Sequence, residues 1–376
     1  MPDKVVILSC FDTYENRVDL LYEYFVSKGY DAKVVTSCFS HFYKKPREEK
    51  KTGYTYLPTI PYSNNLSIKR LYSHFRFAQI ASSEIEKIQP DVLYILCPPN
   101  LLSRVGKVYK MKHVRCKLIL DIIDLWPETL PIKFLKNSFP FSLWKDIRTE
   151  SLKVADVILT ECDMYQRFLN PTNVLNMNTL YLARKDTCIK AETFLDGESI
   201  HLCYLGSINN IIDIDVILLL IDLIKKQKPV VLHIIGDGET REELISKSEA
   251  VGATVIYYGK VFDDNKKHEI FAKCHFGLNI MKDTVCVGLT IKSIDYFEAG
   301  LPIINNIKGD TWNLVLTENI GFNIDGQSNL AKAICSLNYE DNLQMRKRSR
   351  DLFVRLFSES AFMKKIDSLL ENHKIA

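Results

Sequence analysis

The sequence predicts an α/β protein with two domains, each built on a doubly wound parallel sheet. The chain has 376 residues, which is more than one hydrophobic core usually serves. Short, continuously apolar segments alternate with helical patterns, as in parallel sheets that are covered on both faces. This alternation stops in a polar stretch around residues 184–198 and then begins again, which indicates a second domain of the same class.

The first half opens with a predicted strand, Lys4–Ser9, and a predicted helix over residues 15–28. Gly29 follows this helix directly, and a glycine at that point is a common helix stop. Residues 43–51 are dense in charged and turn-forming side chains and are predicted to form a loop. The other elements predicted here are a helix over residues 68–88 and strands over 32–36, 91–96, 117–121 and 156–160.

The second half repeats the pattern with shorter connections. Its strands are predicted over residues 200–205, 230–235, 254–258, 276–280 and 302–305, and its helices over 213–226, 241–251, 266–273 and 292–299. Glycines follow three of these strands, at Gly206, Gly236, Gly238 and Gly259. Ligands of such sheets bind outside the carboxyl ends of the strands, so these glycines are expected at a binding edge.

Composition excludes several classes of protein. Hydrophobic residues make up 47% and charged residues 25% of the chain, which is ordinary for a globular protein. No apolar run reaches the roughly 18 residues that a membrane span needs, and the first strand is too short for a signal peptide. We therefore expect a cytoplasmic protein. The ten cysteines include no C-x-x-C pair, so they are interpreted mainly as small buried side chains, with a zinc site or disulfides as the alternative.

Charge is distributed unevenly along the chain. The net charge is +3, but residues 1–190 carry 28 Lys and Arg against 20 Asp and Glu, which leaves the remainder acidic. A basic half favours an anionic partner, such as a phospholipid surface or a pyrophosphate-bearing molecule. Ordinary solvated charge is the alternative. A nucleic-acid partner is not expected, because no recognition motif is present.

The most informative segment runs from Gly288 to Ile303. It predicts a helix that starts near Lys292 and ends at Gly300, with a proline opening the next strand. The first amides of a helix are unpaired and its dipole end is positive, so this end can bind a phosphate, with Lys292 adding a cation. Asp295, three residues further on, shares a face with Lys292 and can accept hydrogen bonds from ribose hydroxyls. The alternative is an ordinary surface pair between Lys292 and Asp295.

This segment resembles the donor-binding signature of glycosyltransferases of family four, which have the GT-B fold and carry a lysine followed by E-Y or its equivalent and by A-x-G-x-P. Residues 231–244 resemble the strand, G-x-G turn and helix that precede the signature, and residues 204–207 resemble the start of the second domain. Residues 121–130 resemble the D-x-W-P loop of members that build bacterial surface polysaccharides. The resemblance implies an acceptor-binding domain over residues 1–190, a nucleotide-sugar domain over 198–355, and a C-terminal helix over 356–376 that returns to the first domain.

The resemblance also implies roles for individual residues. Asp295 would hold the ribose, while Lys292 and the backbone of Gly288, Leu289 and Thr290 would surround the diphosphate. Gly206 and Ser207 would approach the diphosphate from the opposite loop. Asp124 would orient the acceptor or serve as its base, with a structural loop cap as the alternative. The nucleotide cleft and the surroundings of the base would involve Gly236, Gly238, Tyr258 and Val261.

One departure from the family concerns the donor sugar. The first glutamate of the family's E-x7-E motif falls on Val287 here, so the contact with the sugar must differ. The family is retaining, and its fold usually works without a bound metal. Since no D-x-D doublet follows a strand, we predict no metal and no cofactor beyond the nucleotide-sugar donor, with a uridine rather than a guanosine nucleotide.

The acceptor is expected to be a saccharide or a lipid-linked saccharide. Residues 130–152 interleave aromatic side chains with lysines and Arg148, a pattern that suits contact with the inner face of the plasma membrane. A buried helix hairpin explains the same residues. Two other functions stay open: a non-catalytic partner subunit, favoured by Val287, and a nucleotide-sugar epimerase. The epimerase would need cleft-edge groups such as Asp237, His233 and His268, of which the histidines are interpreted as core and helix-surface residues. A nicotinamide dehydrogenase fits poorly, since no G-x-G-x-x-G follows the first strand.

Overall fold

The computed structural model describes residues 2–48, 50–65, 67–129, 139–170, 175–189, 193, 195, 197–325 and 329–375. The chain divides into two compact units. The first contains Met1–Ala183 and Phe362–Ala376, and the second contains Arg184–Ala361. Among the described residues, no helix has the length and apolar character needed to cross a bilayer.

The first unit is built on a parallel sheet to which seven strands contribute within the described residues, in the order β5-β2-β1-β6-β7-β8-β9. Its strands are β1 (Lys4–Ser9), β2 (Asp31–Ser37), β5 (Tyr54–Leu57), β6 (Val92–Cys97), β7 (Lys117–Ile122), β8 (Val157–Thr160) and β9 (Met177–Thr179). A two-stranded antiparallel ribbon pairs β3 (Phe39–Ser40) with β4 (Lys45–Pro46), and β4 lies within residues 43–51, which were predicted to form a loop. The central strand β6 is buried along its whole length, because helices cover both faces of the sheet.

Helices pack on both sides of this sheet. They are α1 (Glu15–Ser27), α2 (Ile68–Ile88), α3 (Asn100–Lys112), α4 (Phe139–Leu152), α5 (Asp163–Leu169) and α13 (Glu359–Asn372). One core contains apolar side chains of α2 and α3, and the other contains those of α1 and α13. At the second of these cores the hydroxyl of Tyr24 donates to Asp367 at 2.8 Å.

The second unit has a parallel sheet with six strands among the described residues, in the order β12-β11-β10-β13-β14-β15. They are β10 (Ile200–Leu205), β11 (Val230–Ile235), β12 (Thr254–Gly259), β13 (Phe276–Asn279), β14 (Ile303–Asn305) and β15 (Gly321–Asn323). The helices are α6 (Ile214–Lys225), α7 (Arg241–Ala250), α8 (Asp264–Ala272), α9 (Ile291–Glu298), α10 (Asp310–Glu318), α11 (Leu330–Ser336) and α12 (Tyr339–Leu356). Each unit is thus a doubly wound parallel-sheet domain, as the sequence predicted.

The boundaries between the two units differ from the predicted domain limits at residues 190 and 355. Residues 184–189 lie with the second unit because the amide of Arg184 donates to Phe357 at 2.8 Å and the hydroxyl of Thr187 donates to Glu298 at 2.6 Å. Phe357 stacks on Phe297 with ring centroids 6.0 Å apart, so residues 356–361 belong there as well. The chain returns to the first unit at Phe362, which is buried in the core of that unit.

Candidate functional site

The predicted donor-site residues lie at the carboxyl edge of the second sheet. From β10 the chain adds β11 and β12 on one side, and it then continues with β13 on the other side of β10. The carboxyl ends of β10 and β13 therefore flank the point where strand order reverses, which is where doubly wound sheets bind ligands. The loop after β10 contains Gly206 and Ser207, and the chain after β13 leads into α9.

The glycines after β10 and β11 let two loops approach each other closely. A Cβ atom added to Gly236 would lie 1.9 Å from the carbonyl oxygen of Gly206, and one added to Gly238 would lie 2.1 Å from that of Ile208. Gly206 and Gly236 also have positive φ angles, which side chains rarely adopt. These positions require glycine, so the structure brings Gly206, Gly236 and Gly238 together as one backbone-lined edge.

The segment before α9 is fixed by hydrogen bonds. Thr290 is the N-cap of α9, and its Oγ1 accepts from the amide of Ser293 at 3.3 Å. The same hydroxyl donates to Asn279 at 2.7 Å. The carbonyl oxygen of Gly288 accepts from both the amide and the hydroxyl of Thr311, at 2.9 and 2.8 Å. This end of α9 is therefore rigid before any ligand arrives.

Asparagines extend this support across three strands. Asn279 donates to Asn305 at 2.9 Å, and Asn305 donates to Asn323 at 2.7 Å. These residues end β13, β14 and β15, and the first two are fully buried. The sequence contains a signal for this network, since an asparagine closes each of these strands, but it was not among the predicted site residues.

Lys292 is a half-buried cation at the start of α9. Its Nζ lies 4.5 Å from the ring centroid of Tyr204, on β10, so the side chain crosses the point where strand order reverses. No carboxylate oxygen of the described residues lies within 4.0 Å of its nitrogen. Burial lowers the pKa of Lys292 to about 8. A cation that is held without a carboxylate partner next to a helix amino end is suited to receive an anion.

Asp295 lies one turn further along α9 and pairs with Arg184, whose Nε is 3.0 Å from Oδ1. Burial raises the pKa of Asp295, and the guanidinium of Arg184 opposes that shift. The alternative of a surface pair between Lys292 and Asp295 is wrong, because the two side chains have different partners. Arg184 was missed in the sequence, since nothing near it marks a contact with α9.

The remaining predicted donor-site residues have mixed surroundings. Leu289 is buried, so it offers its backbone alone. Tyr258 is the penultimate residue of β12 and has its hydroxyl 2.9 Å from Nδ1 of His233, and Val261 is half-buried in the following loop. Burial lowers the pKa of His233 to about 4. His268 was interpreted as a helix-surface residue, and this is wrong: it is buried, with Nε2 2.6 Å from Glu298.

Asp124 follows β7 at the carboxyl edge of the first sheet. Its two carboxylate oxygens accept from the indole of Trp126 at 2.6 Å and from the hydroxyl of Thr129 at 2.7 Å. Burial raises the pKa of Asp124 against these hydrogen bonds. The contacts match the structural-cap alternative, and the remaining lone pairs of the carboxylate can still accept from a ligand.

The predicted membrane segment, residues 130–152, lies partly outside the described residues, which resume at 139. Arg148 was counted among its surface cations, and this is wrong. The side chain is fully buried, and its Nη2 lies 2.7 Å from Glu128. Trp144 packs edge-on against Trp126 with ring centroids 6.0 Å apart. For this part of α4 the structure supports the buried-helix alternative.

Within the described part of the chain, no group of three or more His, Cys, Asp or Glu side chains is arranged to hold a metal ion. None of the ten cysteines, all of which lie in the described residues, forms a disulfide bond, and most of them are buried.

Comparison with known proteins agrees with this geometry. Residues 199–338, which include the whole candidate donor site, match the model of the family described as Glycosyl transferases group 1. The match supports a group 1 glycosyltransferase and covers less than half of the chain. A comparison with curated protein sequences finds no match.

Solved structures show the same fold at low sequence identity. Sucrose-phosphate synthase from Thermosynechococcus elongatus has 12% identity and a TM-score of 0.69, with 98% of each chain covered. HepE of Anabaena in complex with UDP has 13% identity and a TM-score of 0.69, with coverage of 98% of this chain and 100% of that one. The lipopolysaccharide outer core galactosyltransferase WaaB has 14% identity and a TM-score of 0.68, with coverage of 98% and 99%. These likenesses show the GT-B fold.

Proposed function

We propose that this protein transfers a sugar from a nucleotide-diphosphate sugar to a saccharide or lipid-linked acceptor. The observation that carries the proposal is Lys292, a half-buried lysine without a carboxylate partner, at the amino end of α9 and beside the reversal of strand order. Keeping a partly desolvated cation without a partner costs folding free energy, so its presence is best explained by an anion that it receives.

The proposed ligand of this edge is the diphosphate of the donor. The backbone around Gly206 and the first turn of α9 would contact its oxygens from two sides, and Lys292 would neutralise their charge. Asp295 would hold the ribose after exchanging its contact with Arg184. A uridine nucleotide is proposed in preference to a guanosine nucleotide, since HepE of Anabaena, which has the same fold, was solved with UDP and with UDP-glucose.

Departure of the nucleoside diphosphate builds negative charge on the phosphate oxygens. The amino end of α9 and Lys292 would stabilise that charge, each contact contributing about 2–4 kcal/mol to lowering the barrier. Because cations and amides of the chain supply this stabilisation, we propose that no metal ion is essential. Full turnover in excess chelator is expected, and abolished turnover would contradict this part of the proposal.

The acceptor side is proposed for the carboxyl edge of the first sheet, where Asp124 follows β7. Asp124 would orient the acceptor hydroxyl or take up its proton. A role in the assembly of surface polysaccharide is proposed by likeness in fold to WaaB, an outer core galactosyltransferase of lipopolysaccharide. Retention of the anomeric configuration is also proposed, with a sugar contact that differs at Val287.

A panel of nucleotide sugars, screened by thermal shift and then by product formation, tests the function. A ligand at a hundredfold excess over its Kd raises the free energy of unfolding by about 2.7 kcal/mol. Lys292→Ala and Asp295→Ala are each expected to reduce turnover at least tenfold with an unchanged circular dichroism spectrum, a loss of about 1.4 kcal/mol of transition-state stabilisation. Lys226→Ala, an exposed lysine at the end of α6 and therefore at the opposite edge of the same sheet, is the control. Unchanged turnover in both site variants would remove the assignment.

A non-catalytic partner subunit is the second candidate, and Val287 is the residue that favours it. Such a subunit would bind the nucleotide and show neither transfer nor donor hydrolysis as a purified chain. Transfer by the purified protein would exclude this candidate.

A further inference from the structure

Helix α2 has an apolar face that its own unit does not cover. On one side of the helix Arg70, His74 and Phe77 are buried. On the other side four large apolar side chains are exposed, with Ile68 85% and Tyr72 54% accessible. Their spacing of i, i+3, i+4 and i+7 places them on one face of the helix. The four residues are Ile68, Leu71, Tyr72 and Phe75.

A turn between β3 and β4 extends this surface. Phe42 and Tyr43 are 70% and 69% exposed, and their rings pack edge to face 4.9 Å apart. The turn lies against the segment that leads into α2, because Nδ1 of His41 is 2.7 Å from the hydroxyl of Tyr62 and Nζ of Lys44 is 2.5 Å from Asn65. The turn and the amino-terminal half of α2 therefore form one surface, which we call the α2 face.

The charge on the α2 face is positive. No Asp or Glu occurs from Lys50 to Ser83 in the sequence. Lys69 and Arg76 lie on the exposed side of α2, and no carboxylate of the described residues lies within 4.0 Å of either. In this respect they differ from Lys45, which pairs with Glu48 at 2.8 Å. Two carboxylates border the turn, since Asp12 accepts from the amides of His41 and Phe42 and Glu48 pairs with Lys45. The helical part of the surface has cations without carboxylates beside aromatic side chains, which makes it complementary to anionic headgroups above an apolar layer.

We propose that the α2 face docks the protein on a bilayer that contains anionic phospholipid. Tyrosine and phenylalanine are suited to the boundary between headgroups and acyl chains, since their rings are apolar and tyrosine adds a polar tip. Lys69 and Arg76 would meet the phosphates. This surface is distinct from residues 130–152, for which the sequence predicted membrane contact.

The α2 face lies at the same edge of the sheet as the proposed acceptor side. Helix α2 follows β5 and leads into β6, and the two strands are parallel members of one sheet, so the helix begins at the carboxyl edge. The proposed acceptor side is that same edge. A bilayer at the α2 face would therefore present a lipid-linked acceptor beside Asp124. The presentation of an acceptor rests on the proposed function, whereas the docking on the bilayer does not.

Vesicle sedimentation of the whole chain, without nucleotide, tests the docking. Vesicles of phosphatidylcholine alone are compared with vesicles that contain 30% phosphatidylglycerol. The wild-type protein is expected to bind the anionic vesicles and to bind more weakly at high salt, because screening affects the cations and spares the apolar contact. Lys69→Glu with Arg76→Glu is expected to weaken binding at least twenty-fivefold, from about fivefold for each of the two cations removed. Leu71→Ser with Phe75→Ser is expected to weaken it about tenfold.

Met111→Ser with Val114→Ser is the matched control. Both residues are exposed and apolar, and they lie at and just beyond the end of α3, at the opposite edge of the same sheet. The control is expected to bind vesicles like the wild type. Equal binding by all variants, or no binding of the wild type to anionic vesicles, would overturn the docking proposal. It would also be overturned if the wild type were a dimer in sedimentation velocity that the Leu71 and Phe75 changes make monomeric. UDP binding is measured in parallel, so that failure of the donor site is seen separately from failure of docking.

Discussion

The depressed pKa of Lys292 makes the affinity for UDP depend on pH. If UDP binds the protonated ammonium, the apparent Kd equals the intrinsic Kd divided by the protonated fraction of Lys292 in the free protein. With a pKa of about 8, that fraction is about 0.9 at pH 7 and about 0.1 at pH 9. UDP is therefore expected to bind about tenfold more weakly at pH 9 than at pH 7. The sign follows from burial, which makes the ammonium lose its proton at a lower pH than an exposed lysine does.

The assay is calorimetric titration of UDP between pH 7 and pH 9.5, a range in which the terminal phosphate stays ionised because its second pKa is near 6. Lys292→Arg is the matched variant, since a guanidinium keeps its charge throughout the range. Its UDP affinity is expected to vary less than threefold. Proton uptake on binding, measured in buffers of different ionisation enthalpy, should occur above pH 8 in the wild type and be absent in the variant. A wild-type affinity that is flat across this range, or an equal decline in Lys292→Arg, would refute the reasoning.

Three further changes test other parts of the site. Lys292→Met is expected to raise the free energy of unfolding by about 1–3 kcal/mol at pH 7, because it removes a partly buried charge. The gain should fade between pH 8 and 10.5, since above about pH 8 the folded protein already holds this lysine uncharged. Urea unfolding that shows the same gain at both pH values would contradict this. Gly236→Ala is expected to weaken UDP binding more than tenfold, since its Cβ would lie 1.9 Å from a backbone oxygen at a strained positive φ. Gly197→Ala, at a position with open space around it, is the control. Equal UDP affinities of the two variants would show that the loops are not in contact with the ligand. Asp295→Asn is expected to weaken UDP binding about tenfold and to leave the affinity for inorganic pyrophosphate unchanged, because pyrophosphate has no ribose. An equal loss of affinity for both ligands would place Asp295 at the phosphates.

The sequence predicted the long, buried elements well, because continuous apolar runs and helical periodicity depend on local residues. It missed β5, β9 and β15, which are short and partly polar, and it placed α9 one residue late at its start. For β5 the burial pattern explains the omission, since three of its four residues are only partly buried. Such strands are held by pairing with a neighbour, and pairing is not visible in local sequence.

The site was predicted as a set of positions, and its contacts were not. Lys292, Gly206 and Gly236 were identified because glycines after strands and a lysine at a helix start have local signatures. The contact of Lys292 with Tyr204 and the pair between Arg184 and Asp295 join residues that are distant in the chain. The burial of Arg148 was not predicted for the same reason, because a charged residue in a polar-looking segment gives no sign of its distant, half-buried partner Glu128.

The order of synthesis bears on how the first unit forms. Its core needs Phe362, Ile366 and Leu370 from α13 against Leu21 and Phe25 from α1, and α13 leaves the ribosome long after α1. The second unit, by contrast, is a single continuous stretch, Arg184–Ala361, and can close its core first. The amino-terminal Rossmann-like unit therefore keeps apolar surface exposed until α13 emerges. Chaperone dependence and aggregation of truncated chains are expected to concentrate in that interval.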